Sequence, residues 1–157
     1  MALKKLCQFM LITGQQFNDQ YGYVWFVKLT TENCIHNGLE LKEGLNKDTI
    51  DFNSEKSCGP GGLYFCRYEH FGKWTYYNKH KMEYIWDVKI PNNAEVVIMD
   101  NKIKCNMFIL QNKKCIWTDY DLCFKAIKYD KRNMQFIRVR STDEMWLEMC
   151  RQSGFIK

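Results

Sequence analysis

Tyr84-Ile85-Trp86-Asp87-Val88-Lys89-Ile90-Pro91 is the stretch that decides the fold. Tyr84, Trp86, Val88 and Ile90 alternate with Ile85, Asp87 and Lys89, the two-residue period of a half-buried strand. Pro91 has no amide hydrogen to give a ladder and closes the strand. After the turn Pro91-Asn92-Asn93, the segment Glu95–Met99 carries Val96-Val97-Ile98 and is expected to pair with a neighbouring strand. Upstream, Tyr23-Val24-Trp25-Phe26-Val27-Lys28-Leu29-Thr30 is nearly continuous, aromatic and β-branched. That composition fits a strand buried on both faces. Gly61-Gly62-Leu63-Tyr64-Phe65-Cys66 reads as a short strand entered from a glycine turn. Together these predict an α+β fold, a mixed or antiparallel sheet with flanking helices. Trp25, Phe26, Leu63, Phe65, Trp86, Val88, Val97, Phe124 and Ile127 are its expected core.

Helical spacing appears elsewhere. Leu3, Leu6, Cys7, Met10 and Leu11 predict an N-terminal helix within residues 1–14, with Gly14 as its stop. Residues 31–60 read as loops around short pieces. Phe71, Trp74 and Tyr76 or Tyr77 fit one helical face of residues 68–78. In the tail, Tyr120, Cys123, Phe124 and Ile127 fall at i, i+3, i+4, i+7 over Asp119–Lys128. Ser141-Thr142-Asp143-Glu144 opens a second helix, Ser141-x-x-Glu144 matching a capping box. Setting Thr118-Asp119 on Thr142-Asp143 aligns Leu122 with Trp146, Cys123 with Leu147 and Ala126 with Cys150 at a 24-residue period. Each unit reads as a helix followed by an extended piece such as Met134–Val139. Two copies are too few for a free-standing array, so they are expected to dock on the main body. The reading is one domain over 1–157: the first helix, an α+β core at 22–110, and two helical units at 111–157.

The chain has 157 residues, of which 46% are hydrophobic and 15% aromatic, with net charge +5. That balance excludes a disordered chain, and two prolines with nine glycines exclude collagen-like repeats. No run of about 18 apolar residues exists to span a bilayer, and the N-terminus lacks a cleavage pattern after Lys4-Lys5. Eight scattered cysteines without a C-x-x-C pair are then expected as reduced, packed thiols in an intracellular compartment, not as disulfides of a secreted protein. Cys58, Cys66 and His70 lack the tight hook of a structural zinc site, and no metal is expected.

Charge is unevenly placed. Residues 1–100 carry eleven basic and twelve acidic groups, whereas 101–140 carry ten and three. Lys102, Lys104, Lys113, Lys114, Lys125, Lys128, Lys131, Arg132, Arg138 and Arg140 would attract phosphate through counterion release. Nearby Phe108, Trp117, Tyr120, Tyr129 and Phe136 would stack on bases. A nucleic acid or an acidic protein is the partner class this implies. The plain alternative is a solvated lysine surface over a core of aromatics, since no named nucleic-acid motif is present.

His36-Asn37-Gly38, Lys42-Glu43-Gly44-Leu45-Asn46, Cys58-Gly59-Pro60-Gly61-Gly62-Leu63-Tyr64-Phe65 and Val88-Lys89-Ile90-Pro91 resemble a domain of amoeba-infecting giant DNA viruses that often precedes ankyrin repeats. The tail from Thr118, and again from Thr142, is similar to short helix repeats of the same viruses. The resemblance implies a viral protein of a family without a settled activity; with the basic 101–140 segment, the expected function is a non-enzymatic interaction protein, a virion or host-interaction factor, without cofactor.

A remoter resemblance concerns chemistry. His36, the run Gly61-Gly62-Leu63-Tyr64-Phe65, Tyr76 and the strand from Tyr84 are similar to the His–Tyr–Glu class of ADP-ribosyltransferases. In that class the histidine binds the adenosine ribose of NAD, two tyrosines sandwich the nicotinamide, and a late glutamate stabilises the oxocarbenium-like transition state. It implies His36, Tyr64 and Tyr76 (or Tyr77) as NAD contacts. Two departures stand: His36 lies beyond the first strand, and Met134–Arg140 has no acidic residue where the glutamate belongs. An NAD-binding but inactive protein is the enzyme-side alternative. No P-loop, H-E-x-x-H or G-x-S-x-G motif occurs.

Overall fold

The computed structural model describes residues 9–55, 59–99, 102–139 and 142–154. Its elements run β1 (Met10–Thr13), α1 (Gly14–Tyr21), β2 (Phe26–Thr30), β3 (Ile35–His36), β4 (Leu39–Glu40), β5 (Gly44–Lys47) and β6 (Leu63–Arg67). A 3-10 helix at Tyr68–Trp74 leads to β7 (Tyr76–Tyr77), β8 (His80–Lys81), β9 (Tyr84–Lys89), β10 (Glu95–Ile98), β11 (Ile103–Cys105) and β12 (Met107–Cys115). α2 (Tyr120–Tyr129), a 3-10 helix at Lys131–Phe136 and α3 (Asp143–Gln152) complete the order. The fold is α+β, as the sequence predicts. Eight strands form one sheet in the order β1-β10-β11-β6-β2-β9-β12-β5, with every recorded ladder antiparallel.

Both faces of the sheet are covered, and alternation along β2 and β9 divides the side chains between them. Phe26, Trp86 and Val88 join Leu63, Phe65, Phe108 and Phe17 in one cluster. Val27, Leu29 and Ile85 join Phe71, Trp117, Leu122, Cys123, Ile127 and Met149 in the other. The half-buried reading of Tyr84–Ile90 is therefore corrected: α2 and the Tyr68–Trp74 turn cover the second face and bury Ile85. Trp25 is corrected too. It is 52% exposed, stacked on Tyr68 at 3.7 Å, with its indole N–H donating to Asp87 Oδ1 at 2.7 Å. Phe124 is only half-buried, because Leu122, Cys123, Ala126 and Ile127 make the inner face of α2.

The expected N-terminal helix falls partly on residues outside those described, but Met10–Thr13 is an edge strand on β10. Gly14 opens α1 instead of ending a helix. Thr13 Oγ1 accepts from the Gln16 amide, and Gln16 Oε1 accepts from the Thr13 amide, a capping box one residue upstream of Gly14. A Cβ at Gly14 would lie 1.8 Å from the Pro91 carbonyl oxygen, so only glycine fits there. The expected helix at 68–78 is a seven-residue 3-10 helix followed by a hairpin. Asn78 and Lys79, at φ 50° and 65°, turn the chain as a primed two-residue loop does.

The tail docks as expected, with α2 and Met149 of α3 in the second cluster. Its internal repeat is not a repeat of environment. Leu122 and Cys123 are buried, whereas the aligned Trp146 and Leu147 are 41% and 43% exposed. Lys131–Phe136 is helical, not extended, and buried Asn133 fixes it by donating to the Ala126 carbonyl at 2.8 Å. Thr142 caps α3 by accepting from the Met145 amide; Ser141 lies outside the described residues.

A candidate ligand cavity where two strands part

β2 and β6 pair at two recorded positions, Phe26↔Arg67 and Val27↔Cys66. Beyond them β2 continues on β9 through Thr30, while β6 continues on β11 from Phe65 to Leu63. The strands diverge, and a cavity of about 530 Å³ occupies the wedge. One wall is β2 with His36 of the β3–β4 hairpin, the other Tyr64, Phe65 and Cys66, and Trp74 and Tyr77 close it.

Local sequence explains the placement. Asn37-Gly38, at φ 49° and 81°, makes the tight turn between β3 and β4 that folds His36 back over β2. His36 and Tyr64 meet edge to face, ring centroids 6.1 Å apart. Burial, with the nearby positive charges of Lys28 and Lys102, holds the His36 pKa down to about 3, so its ring is neutral at ordinary pH. Of the two tyrosines, Tyr77 lines the cavity. Tyr76 points the other way along the strand and stacks on Phe136, rings 6.3 Å apart. The cavity therefore joins His36, Tyr64 and Tyr77 and leaves Tyr76 out. No carboxylate lines it among the described residues.

The basic residues of 101–140 are not brought into one surface. Lys104 is fully buried; its ammonium donates to the Asn53 carbonyl and lies 5.6 Å from the Tyr64 ring centre. It is a core lysine, not an anion contact. Lys102 belongs to the cavity, its Nζ 4.4 Å from the Tyr64 ring centre. Lys113 lies 4.0 Å from the Tyr84 ring centre. Arg132 is paired with Asp130 at 2.7 Å, and Arg138 with buried Glu83. Lys114, Lys128 and Lys131 are exposed; Arg140 lies outside the described residues. Phe108 and Trp117 are buried in the two clusters, which removes them as base-stacking surfaces.

Sequence reasoning missed Lys28 and Trp74. The signal for Lys28 was present, a lone lysine inside a strand otherwise read as buried on both faces. The six described cysteines, Cys34, Cys66, Cys105, Cys115, Cys123 and Cys150, are free thiols. No helix of the described residues is long and apolar enough to cross a membrane.

Among known proteins, the chain is similar to Uncharacterized protein R869 of Acanthamoeba polyphaga mimivirus, 31% identical over 93 residues. The match spans 56% of this chain and 65% of that protein, less than two thirds of the relative's length. No family model matches the chain, and no solved structure matches it. The similarity supports a giant-virus origin and bears on neither ankyrin repeats nor ADP-ribosyl transfer.

Proposed function

We propose that the protein is a small-molecule-binding module whose wedge cavity takes a flat ring, NAD being the ligand class its residues resemble. The observation that carries this reading is the meeting of His36 and Tyr64 in one cavity with Tyr77, from three separate stretches of chain. A ring inserted there meets aromatic faces and edges, which favour offset or edge-to-face contact. The lack of a carboxylate among the described lining residues supports binding without transfer, because nothing anionic faces a developing oxocarbenium charge.

Saturating NAD is expected to raise the melting temperature by mass action. His36→Ala, Tyr64→Ala and Tyr77→Ala each abolish the shift, while Tyr76→Ala leaves it. ADP-ribose release stays at the uncatalysed rate. A wild-type protein unmoved by millimolar NAD would sink the proposal.

A second reading keeps the tail as an interaction surface of a viral protein for nucleic acid or an acidic partner. Exposed Lys114, Lys128 and Lys131, outside every salt bridge among the described residues, support it. Binding of single-stranded DNA that weakens steeply with salt is its test.

A further inference from the structure

Lys28 sits in the middle of β2 and is 7% exposed. Lysine is almost never buried this far without a counterion. Among the described residues it makes no hydrogen bond and no ion pair. Its strand neighbours give it nothing: the nearest carboxylate on β9, Asp87, is held by the Trp25 indole and the Asn112 amide. It lines the wedge cavity instead. A buried ammonium thus borders this cavity, with no carboxylate in its described lining. Lys102, over the Tyr64 ring of the facing wall, brings a second positive charge to the cavity.

We propose that Lys28 is the anion receptor of this cavity, so that the ligand is a flat ring bearing a carboxylate or phosphate seated against the Lys28 ammonium. This rests on the cavity reading above and names the charge its ligand carries. The physical reason is the cost of burying an ammonium. A buried ammonium without a partner loses its hydration and gains nothing in return. An oxyanion supplies the missing charge and accepts from Lys28. Lys102 adds long-range attraction across the cavity.

The charge balance around Lys28 gives the proposal a pH signature. Burial lowers its pKa to about 8, and Lys102 pushes in the same direction. Cys66 and Cys105 are themselves held as neutral thiols by burial, and the Lys28 charge helps keep His36 neutral. His80 also lines the cavity. An anion raises the Lys28 pKa, so anion binding above pH 8 takes up a proton, and affinity falls as pH climbs past 8.

Nicotinate and nicotinamide share size and ring and differ in one charge, which makes them the probes. Affinities are measured by calorimetry at pH 7 and pH 9.5 on the full chain and on Lys28→Met. The wild type is expected to bind nicotinate at least tenfold tighter than nicotinamide at pH 7, and that preference shrinks severalfold at pH 9.5. In Lys28→Met the preference is gone. Should that variant fail to fold, wild-type titrations at pH 8.5 in two buffers of different ionisation enthalpy report the proton uptake directly. Equal binding of both probes overturns the anion assignment and leaves the cavity reading standing. A nicotinate preference that survives Lys28→Met, or binding without proton uptake, also overturns it. Binding of neither probe, with no response to NAD, overturns both.

Discussion

The side chain of Lys104 occupies the space a side chain at Gly62 would need. A Cβ at Gly62 would lie 2.1 Å from Lys104 Cε and 2.6 Å from Cγ. Lys104 cannot swing away easily, since it is fully buried and its ammonium holds the Asn53 carbonyl. Gly62→Ala is therefore expected to destabilise by about 2–3 kcal/mol, as overpacking of a core does. Lys104→Ala alone also destabilises, yet it opens room for the methyl added at Gly62, so the double variant is more stable than the two losses summed. Urea melts of the four proteins in a double-mutant cycle read that coupling.

Asn133 ties the tail to the turn before β7. It donates to the Ala126 carbonyl, and its own Oδ1 accepts from Thr75 Oγ1 at 3.2 Å. Both partners are buried. Asn133→Ala removes both bonds, while the Ala126 carbonyl keeps the Asp130 amide and Thr75 Oγ1 keeps the Gly72 carbonyl; at about 1 kcal/mol per bond it should cost about 2 kcal/mol, whereas Thr75→Val should cost about 1 kcal/mol. A ratio reversed from this would mean that the tail is held by apolar packing instead.

His36 predicts an acid limb in stability. Its folded pKa of about 3 lies below the ordinary 6.5, so the unfolded chain binds the extra proton. The sign follows: stability contributed by neutral His36 is full above about pH 6.5 and is lost as pH falls toward 3. His36→Gln should flatten the fall in melting temperature between pH 6.5 and pH 4 relative to wild type. Parallel slopes for the two proteins would show that the ring is solvated.

Glu83 links β9 to the tail. Burial opposes its charge, but hydrogen bonds from Lys81, Arg138 and Cys115 prevail and hold the carboxyl below its usual range. Arg138→Ala is expected to cost about 1 kcal/mol of stability and to leave the response to NAD unchanged. The quadruple reversal of Lys113, Lys114, Lys131 and Arg132 should likewise spare the cavity, because none of the four lines it. A reversal that removed the NAD response would place the ligand elsewhere.

The strands were legible where composition was extreme, as in Phe26–Thr30 and Tyr84–Lys89, because β-branched and aromatic runs fit few other structures. Helical spacing misled where local capping overruled it. At Thr13-Gly14-Gln15-Gln16 the cap starts α1 just where the periodicity of Leu3 to Leu11 runs out. Trp25 misled for a different reason: a large ring at the strand entrance finds Tyr68 as a platform and needs no core. Of the candidate ligand residues, His36 and Tyr64 were implied by the resemblance to ADP-ribosyltransferases, and the Asn37-Gly38 turn sets His36 beside Tyr64. Two of the tail charges are engaged by partners distant in sequence. Lys104 faces Asn53 and Arg138 faces Glu83, pairings no local window contains.

The parting of β2 from β6 divides the eight strands into two plates, with Phe65 packed against Phe26 and Phe108 across the division. β1, β10, β11 and β6 form one plate, and β2, β9, β12 and β5 the other. Their backbone seam is two residue pairs long. Because β2 lines one side of the wedge and β6 the other, a guest held there would lie against both plates at once.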